Sequence, residues 1–281
     1  MNEIHLPIIG TSLRSPDDPY DWVYEHITNG TTTMFLSEIP EEFDLRQYTQ
    51  PARDQGIRGT CAAFTASSIK EITEKRESEF DGWMSPEFIY YHRKNKPGVG
   101  MYGRDVFQIL QRIGSVPEDS YPYSTKENKT PPPTRKMYKE AAKYKIHSYA
   151  RVKTCDGLKR ALLEIGPCYL MLPLYTSRPK FWIAKEDEKP NGGHALTVIG
   201  YTKEGIILKN SWGFDWNQNG HIILNFDEWD IVWECWVPID KYANKSEIQA
   251  GLSLQSIKMK EEKAKKNNIF ANLRKYILHK N

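Results

Sequence analysis

The sequence is short of cysteine and has no long apolar run. Its 281 residues include four cysteines, Cys61, Cys155, Cys168 and Cys235. None stands at Cys-x-x-Cys spacing, and no histidines stand at His-x-x-x-His spacing, patterns that hold zinc. No metal or cofactor is therefore expected. No apolar stretch approaches the ~18 residues that a spanning helix requires, in keeping with a mean hydropathy of −0.64. The opening MNEIHLPIIGTSL lacks the basic start and unbroken apolar run of a signal peptide. Together these absences predict an intracellular chain in a reducing compartment.

With 39% hydrophobic residues the chain has material for one domain of two lobes, or for two small domains. Its net charge of +3 conceals an asymmetry: residues 241–281 carry 10 Lys and Arg against 3 Asp and Glu, hence +7, which leaves −4 on the rest. Ile257, Ile269, Leu273, Tyr276 and Ile277 fall partly on one face of a helix over Ile248–Leu278. The tail reads as a basic helix, either simply solvated or set against an anionic partner, a membrane surface or nucleic acid. No RNA- or DNA-binding motif accompanies it.

What the chain does have is concentrated in Gln55–Lys70, QGIRGTCAAFTASSIK. A turn containing Gly56 and Gly59 leads to Thr60, a residue type that caps helices, and then to Cys61. Phe64, Ile69 and Ile72 recur near a 3.6-residue period, which predicts a helix to about Arg76. Cys61 then sits in the first turn, where unpaired backbone N–H groups favour a thiolate, and such positions lower a thiol pKa by ~1–5 units. An isolated cysteine is more often a small buried hydrophobe. A base and an oxyanion donor elsewhere distinguish the two readings.

Three segments supply them by resemblance. QGIRGTCAAF resembles the QGxCGSCWAF segment of the papain-like (cathepsin) cysteine peptidases. Asn191–Tyr201, NGGHALTVIGY, and Lys209–Gly220, KNSWGFDWNQNG, are similar to that family's histidine strand and asparagine–tryptophan turn. His194 follows Cys61 by 133 residues and Asn210 follows His194 by 16, the order and scale of a papain-type layout. The resemblance implies an α+β two-lobe fold, a helical lobe beside an antiparallel β-barrel lobe with the cleft between. It further implies a Cys61 thiolate–His194 imidazolium pair, with Asn210 orienting the histidine and Trp212 covering their hydrogen bond. Gln55 becomes the oxyanion donor. The chain is then a cysteine endopeptidase acting on protein or peptide substrates through an acyl-enzyme.

The substrate-binding candidates are Gly59, Gly100, Met101, Gly193 and Trp212. Of these, Gly100 and Met101, in GVGMYG, sit where the family has the backbone strip that pairs with an extended substrate. Departures are visible too. Arg58 replaces the cysteine three positions before the nucleophile, so that family disulfide cannot form, and Ala62 replaces tryptophan. The segment Lys126–Lys136 lacks the paired histidines of the exopeptidase branch, which points to an open cleft.

The resemblance covers about Ile39–Ile239. Residues 1–38 are then an N-terminal arm or short propeptide, 39–240 the catalytic domain with lobes at about 39–125 and 126–240, and 241–281 the basic tail. Further expected elements are a helix at Ser85–Tyr91 with Ser85 as cap, a helix at Asp105–Ile113, and strands at Tyr144–Val152, Cys168–Tyr175 and Gly220–Phe226. A helix at Cys155–Ile165 completes the set. The alternative of a different class is a catalytically silent papain-like module that binds proteins and is attached through its tail.

Overall fold

The computed structural model describes residues 11–29, 39–126 and 130–240; the basic tail and its expected anionic partner lie outside them. In chain order the strands are β1 (Ser12–Leu13), β2 (Phe43–Asp44), β3 (Met101–Tyr102), β4 (Ser148–Arg151), β5 (Cys168–Pro173), β6 (Gly193–Tyr201), β7 (Gly205–Lys209), β8 (His221–Asn225) and β9 (Glu234–Ile239). The α-helices are α1 (Tyr24–Asn29), α2 (Cys61–Glu77), α3 (Pro86–Tyr91), α4 (Gly103–Arg112), α5 (Arg135–Ala141) and α6 (Cys155–Glu164).

The helix predicted behind Cys61 forms, and it is buried on nearly all sides from Cys61 to Thr73. Its sequence contains no Gly or Pro, and Ala62, Ala63 and Ala66 favour helix while leaving room for close neighbours. It lies between α3 and α4 on one side and β6 on the other. Two buried charges ride on it with partners: Lys70 Nζ reaches Asp240 at 2.6 Å and Glu74 at 2.7 Å, and Glu71 is held by Arg53 at 3.3 Å.

β6 is the spine of the sheet and is buried along its whole length. A strand covered on both faces reads as a continuous apolar run rather than as an alternation, which is why ALTVIGY shows no clean period. β5 and β7 flank it antiparallel, β9 follows β5, β4 follows β9, and β8 pairs with β7. The sheet curls around a core that includes Leu170, Leu172, Leu196, Val198, Leu208 and Val237, closed by Leu158 and Leu162 of α6. A second cluster, with Ala66, Ile69, Phe107 and Leu110, fills the helical side. This is the α+β arrangement of helical and sheet parts expected from the sequence.

Some bounds moved. The Tyr144–Val152 strand shortens to Ser148–Arg151, because residues 142–144 continue α5 as a 3-10 turn. β5 stops at Pro173, which has no N–H to extend a ladder. Ser85 caps α3 as predicted, its Oγ accepting from the Phe88 N–H at 3.0 Å.

Candidate active site

Cys61 opens α2, and the residue before it does not cap the helix in the predicted way. Thr60 makes no side-chain cap; its hydroxyl bonds the Tyr123 hydroxyl at 2.8 Å. A tertiary partner took the hydroxyl, so the first-turn N–H groups keep their partial positive charge near the sulfur. The backbone N–H groups of Ala195, Ala62 and Ser12 near the sulfur act to lower its pKa. Ala195 directly follows His194, so α2 and β6 bring the thiol and the histidine segment to one place despite their separation in the chain.

His194 Nε2 lies 2.6 Å from Asn210 Oδ1. The same oxygen accepts the Ser211 N–H at 2.8 Å, so the amide oxygen faces the ring and Nε2 must carry the hydrogen. Nδ1 is then the ring nitrogen left to exchange a proton. Trp212 lies over the imidazole at 4.4 Å between centroids, inclined by 31°. Phe181 meets the same ring edge-on at 5.2 Å, an enclosing residue that sequence reading did not single out.

Gln55 is placed by three contacts. Its backbone N–H donates to Ser211 O at 2.8 Å, its Oε1 accepts from Ser211 Oγ at 2.6 Å, and its Nε2 donates to Arg58 O at 2.8 Å. A primary amide nitrogen has two hydrogens, and Arg58 O takes one of them. Ser211 was also passed over in the sequence, yet it holds both Asn210 and Gln55; its position inside the quoted NSW segment was the available signal.

The structure adds an occupant. β1 runs parallel to β3 with Ser12 opposite Met101, and antiparallel to β6 with Ser12 opposite Gly193. The Met101 N–H donates to Thr11 O at 3.2 Å, and Thr11 Oγ1 lies 3.7 Å from the Cys61 sulfur. Gly100 has φ +77 and would drive a Cβ to 1.5 Å from Thr11 O, while a Cβ on Gly59 would come within 2.7 Å of the Thr11 side chain. A Cβ on Gly193 would meet Ser12 O at 2.8 Å. Gly59, Gly100, Met101 and Gly193 thus all touch the arm, whereas Trp212 touches His194.

Covering the site changes its electrostatics. Cys61 and His194 are each 1% exposed. Burial pushes the Cys61 thiol up, against the lowering expected from its helix position, although its hydrogen bonds oppose this. Burial likewise lowers His194 to about 4, opposed only by the Asn210 hydrogen bond. Burial thus favours the neutral form of each group. A depressed histidine pKa stabilises the covered state fully above the ordinary 6.5, and the contribution is lost as pH falls towards about 4. Its size is on the order of 3 kcal/mol.

Arg58 replaces more than a cysteine. It is buried and forms a two-pronged ion pair with Glu87 of α3, its Nη2 meeting Oε1 at 3.1 Å. It also donates to Ser124 O at 2.6 Å and lies over Tyr123 at 4.9 Å. The loop before Cys61 is thereby fastened to the helical side by charge rather than by sulfur.

Residues 39–237 match the family described as papain family cysteine protease. The chain is 31% identical to chicken (Gallus gallus) cathepsin K over 217 residues, 70% of this chain and 62% of that protein. To mouse (Mus musculus) cathepsin K it is 28% identical over 209 residues, 69% of this chain and again 62% of the relative. It therefore spans somewhat less than two thirds of the length of these relatives. Among solved structures, xylellain, a cysteine protease from Xylella fastidiosa, superposes with a TM-score of 0.71 at 23% identity, covering 82% of this chain and 96% of that one. The fold and the match across most of the chain define a papain-like protein. The chain belongs to the papain family of cysteine proteases.

Proposed function

We propose that the protein is a cysteine endopeptidase whose cleft is covered by a segment of its N-terminal arm (residues 1–38) that includes Thr11 and Ser12. The observation that carries the chemistry is the His194–Asn210 hydrogen bond of 2.6 Å beneath Trp212, set beside a thiol at a helix N-terminus. Once the cleft is open and wet, Cys61 gives its proton to Nδ1 of His194, and the imidazolium holds the thiolate. The sulfur attacks the scissile carbonyl carbon. The resulting oxyanion takes N–H bonds from Gln55 and the Cys61 backbone. His194 then protonates the leaving amine as the thioester forms, and a water activated by the same nitrogen releases the acid. Asn210 keeps the ring in the required tautomer throughout.

The arm lies where a substrate would, yet it is poorly arranged to be cut. It offers the sulfur a hydroxyl from Thr11 and an N–H from Ser12, while the Thr11 carbonyl is engaged by Met101. The partition into arm, catalytic domain of 39–240 and tail of 241–281 remains part of this reading, and the tail keeps its proposed anionic partner. The absence of paired histidines in residues 126–136 supports internal cutting of protein or peptide substrates.

The test is hydrolysis of a fluorogenic peptide before and after a site-specific cut introduced in the exposed stretch 16–20. Activity should rise on cutting and be absent in the Cys61→Ala chain, cut or not. Robust hydrolysis by Cys61→Ala would refute the mechanism, and an unchanged rate on cutting would refute the cover.

A further inference from the structure

The arm is not uniform, and its two halves are held by different forces. Thr11, Ser12 and Ser15 are buried but small and polar; Ser12 Oγ meets the Tyr169 hydroxyl at 2.7 Å. Leu13 is only half-buried. Little apolar area holds this half in the cleft. Residues 16–20 then run exposed.

Past them the character changes. Tyr24 and Ile27 belong to the same core as Leu158 and Leu162. The Tyr24 hydroxyl donates to Glu164 at 2.8 Å. Glu25 accepts from the Lys153 and Thr154 N–H groups at 2.8 and 2.9 Å and from the Thr154 hydroxyl at 3.0 Å. A Cβ on Gly157 would lie 2.3 Å from that Glu25 oxygen, so α6 has the glycine this acid needs. α1 is built into the barrel side as any internal helix would be.

Between the halves stands Asp21, its side chain nearly buried between two guanidiniums, one from α4 and one from β4. Arg104 of α4 grips it through Nε at 2.7 Å and Nη2 at 2.6 Å; Arg151 of β4 adds Nε at 3.1 Å. The same arginines reach back along the arm, Arg104 to Pro16 O at 2.5 Å and Arg151 to Ser15 O at 3.4 Å. The Ser15 hydroxyl accepts the Arg104 N–H at 3.0 Å, and the Ser15 N–H donates to buried Glu234 at 3.2 Å. Glu234 also faces Arg151 at 3.6 Å, and exposed Asp17 stands 3.8 Å from Arg151. Beyond Asp21, the Arg151 N–H donates to Trp22 O at 2.7 Å, and Val23 bridges to Arg151.

We propose that the arm is a hinged strap: residues 11–21 lift from the cleft, α1 stays in the barrel, and Asp21 with Arg104 and Arg151 is the clasp. This rests on the covered-cleft reading and sharpens it. The regulatory piece ends near residue 21 rather than 38, and opening needs no loss of α1. Two-pronged charged contacts give the clasp its geometry. Their loss leaves the small polar strand with its short ladder and the hydrogen bonds of Ser12 and Ser15.

The test uses the full-length chain with Asp21→Asn, read by hydrogen exchange and by peptide hydrolysis. Segments within 11–21 should lose at least about tenfold in protection while 22–27 keeps theirs, and the hydrolysis rate should rise by about tenfold, the effect of weakening a partly buried ion pair. Arg104→Gln, which leaves the Asp21–Arg151 contact, should give the same pattern more weakly and serves if Asp21→Asn does not fold. Loss of protection across 11–27 as one unit, or no change in either variant, overturns the proposal. If the cut at 16–20 activates but neither variant does, the clasp fails and the cover stands; if the cut itself does not activate, the cover fails.

Discussion

The side chain on which most of the site geometry turns is Ser211. Its N–H fixes the Asn210 oxygen and its hydroxyl fixes the Gln55 oxygen at 2.6 Å, so one residue sets the orientation of both the histidine's partner and the proposed oxyanion donor. Ser211→Ala should lower kcat by about 10-fold with KM little changed, since a displaced donor weakens only the transition state; complete loss of such a donor costs ~10²–10³. Steady-state kinetics on the cut chain checks this, and an equal rise in KM with constant kcat would contradict it. Cys61, His194, Asn210 and Gln55 were legible because each lies in a short local motif. Ser211 and Phe181 were not, because their roles are contacts across the fold. Thr60 misled for the same reason: a capping hydroxyl counts as local only until a tertiary partner such as Tyr123 competes for it.

Among elements, α2 depends on how its N-terminal loop is fastened. The Arg58–Glu87 pair is 6% and 5% exposed on its two side chains, and Thr130 adds a hydroxyl to the same carboxylate at 2.8 Å. Removing one partner strands the other charge in the interior, which typically costs ~3–5 kcal/mol. Arg58→Ala should therefore lower the melting temperature markedly, whereas Arg58→Met with Glu87→Leu should lose less. Equal melting of the parent and Arg58→Ala would show that the pair contributes nothing. Long elements were readable, α2 from its period and β6 from its continuous apolar run. β1 was not, because a two-residue strand of Ser and Leu exists only through its pairing with Met101 and Gly193. Likewise, residues 1–38 read as an arm or short propeptide, yet Tyr24 and Ile27 belong to the core on the sheet side.

At the scale of the whole molecule, the proposed cover would select between two states of the Cys61–His194 pair. Covered by the arm, Cys61 and His194 are both pushed towards their neutral forms by burial. On the proposed opening, the thiol would regain water and the imidazole its proton, and the pair would ionise. The helix position of Cys61, read from the sequence as favouring a thiolate, acts only in the second state. The resemblance could place the residues but not this, because the sequence does not say what lies over them.

The most direct measurement is the pH dependence of Cys61 alkylation by a neutral haloacetamide, on the chain cut within 16–20 and on its His194→Ala counterpart. The account predicts a nearly level rate from about pH 5 to 8 when His194 is present, and a single rise near the ordinary thiol pKa of ~8.5 when it is absent. Two superimposable profiles, each rising only at alkaline pH, would contradict it.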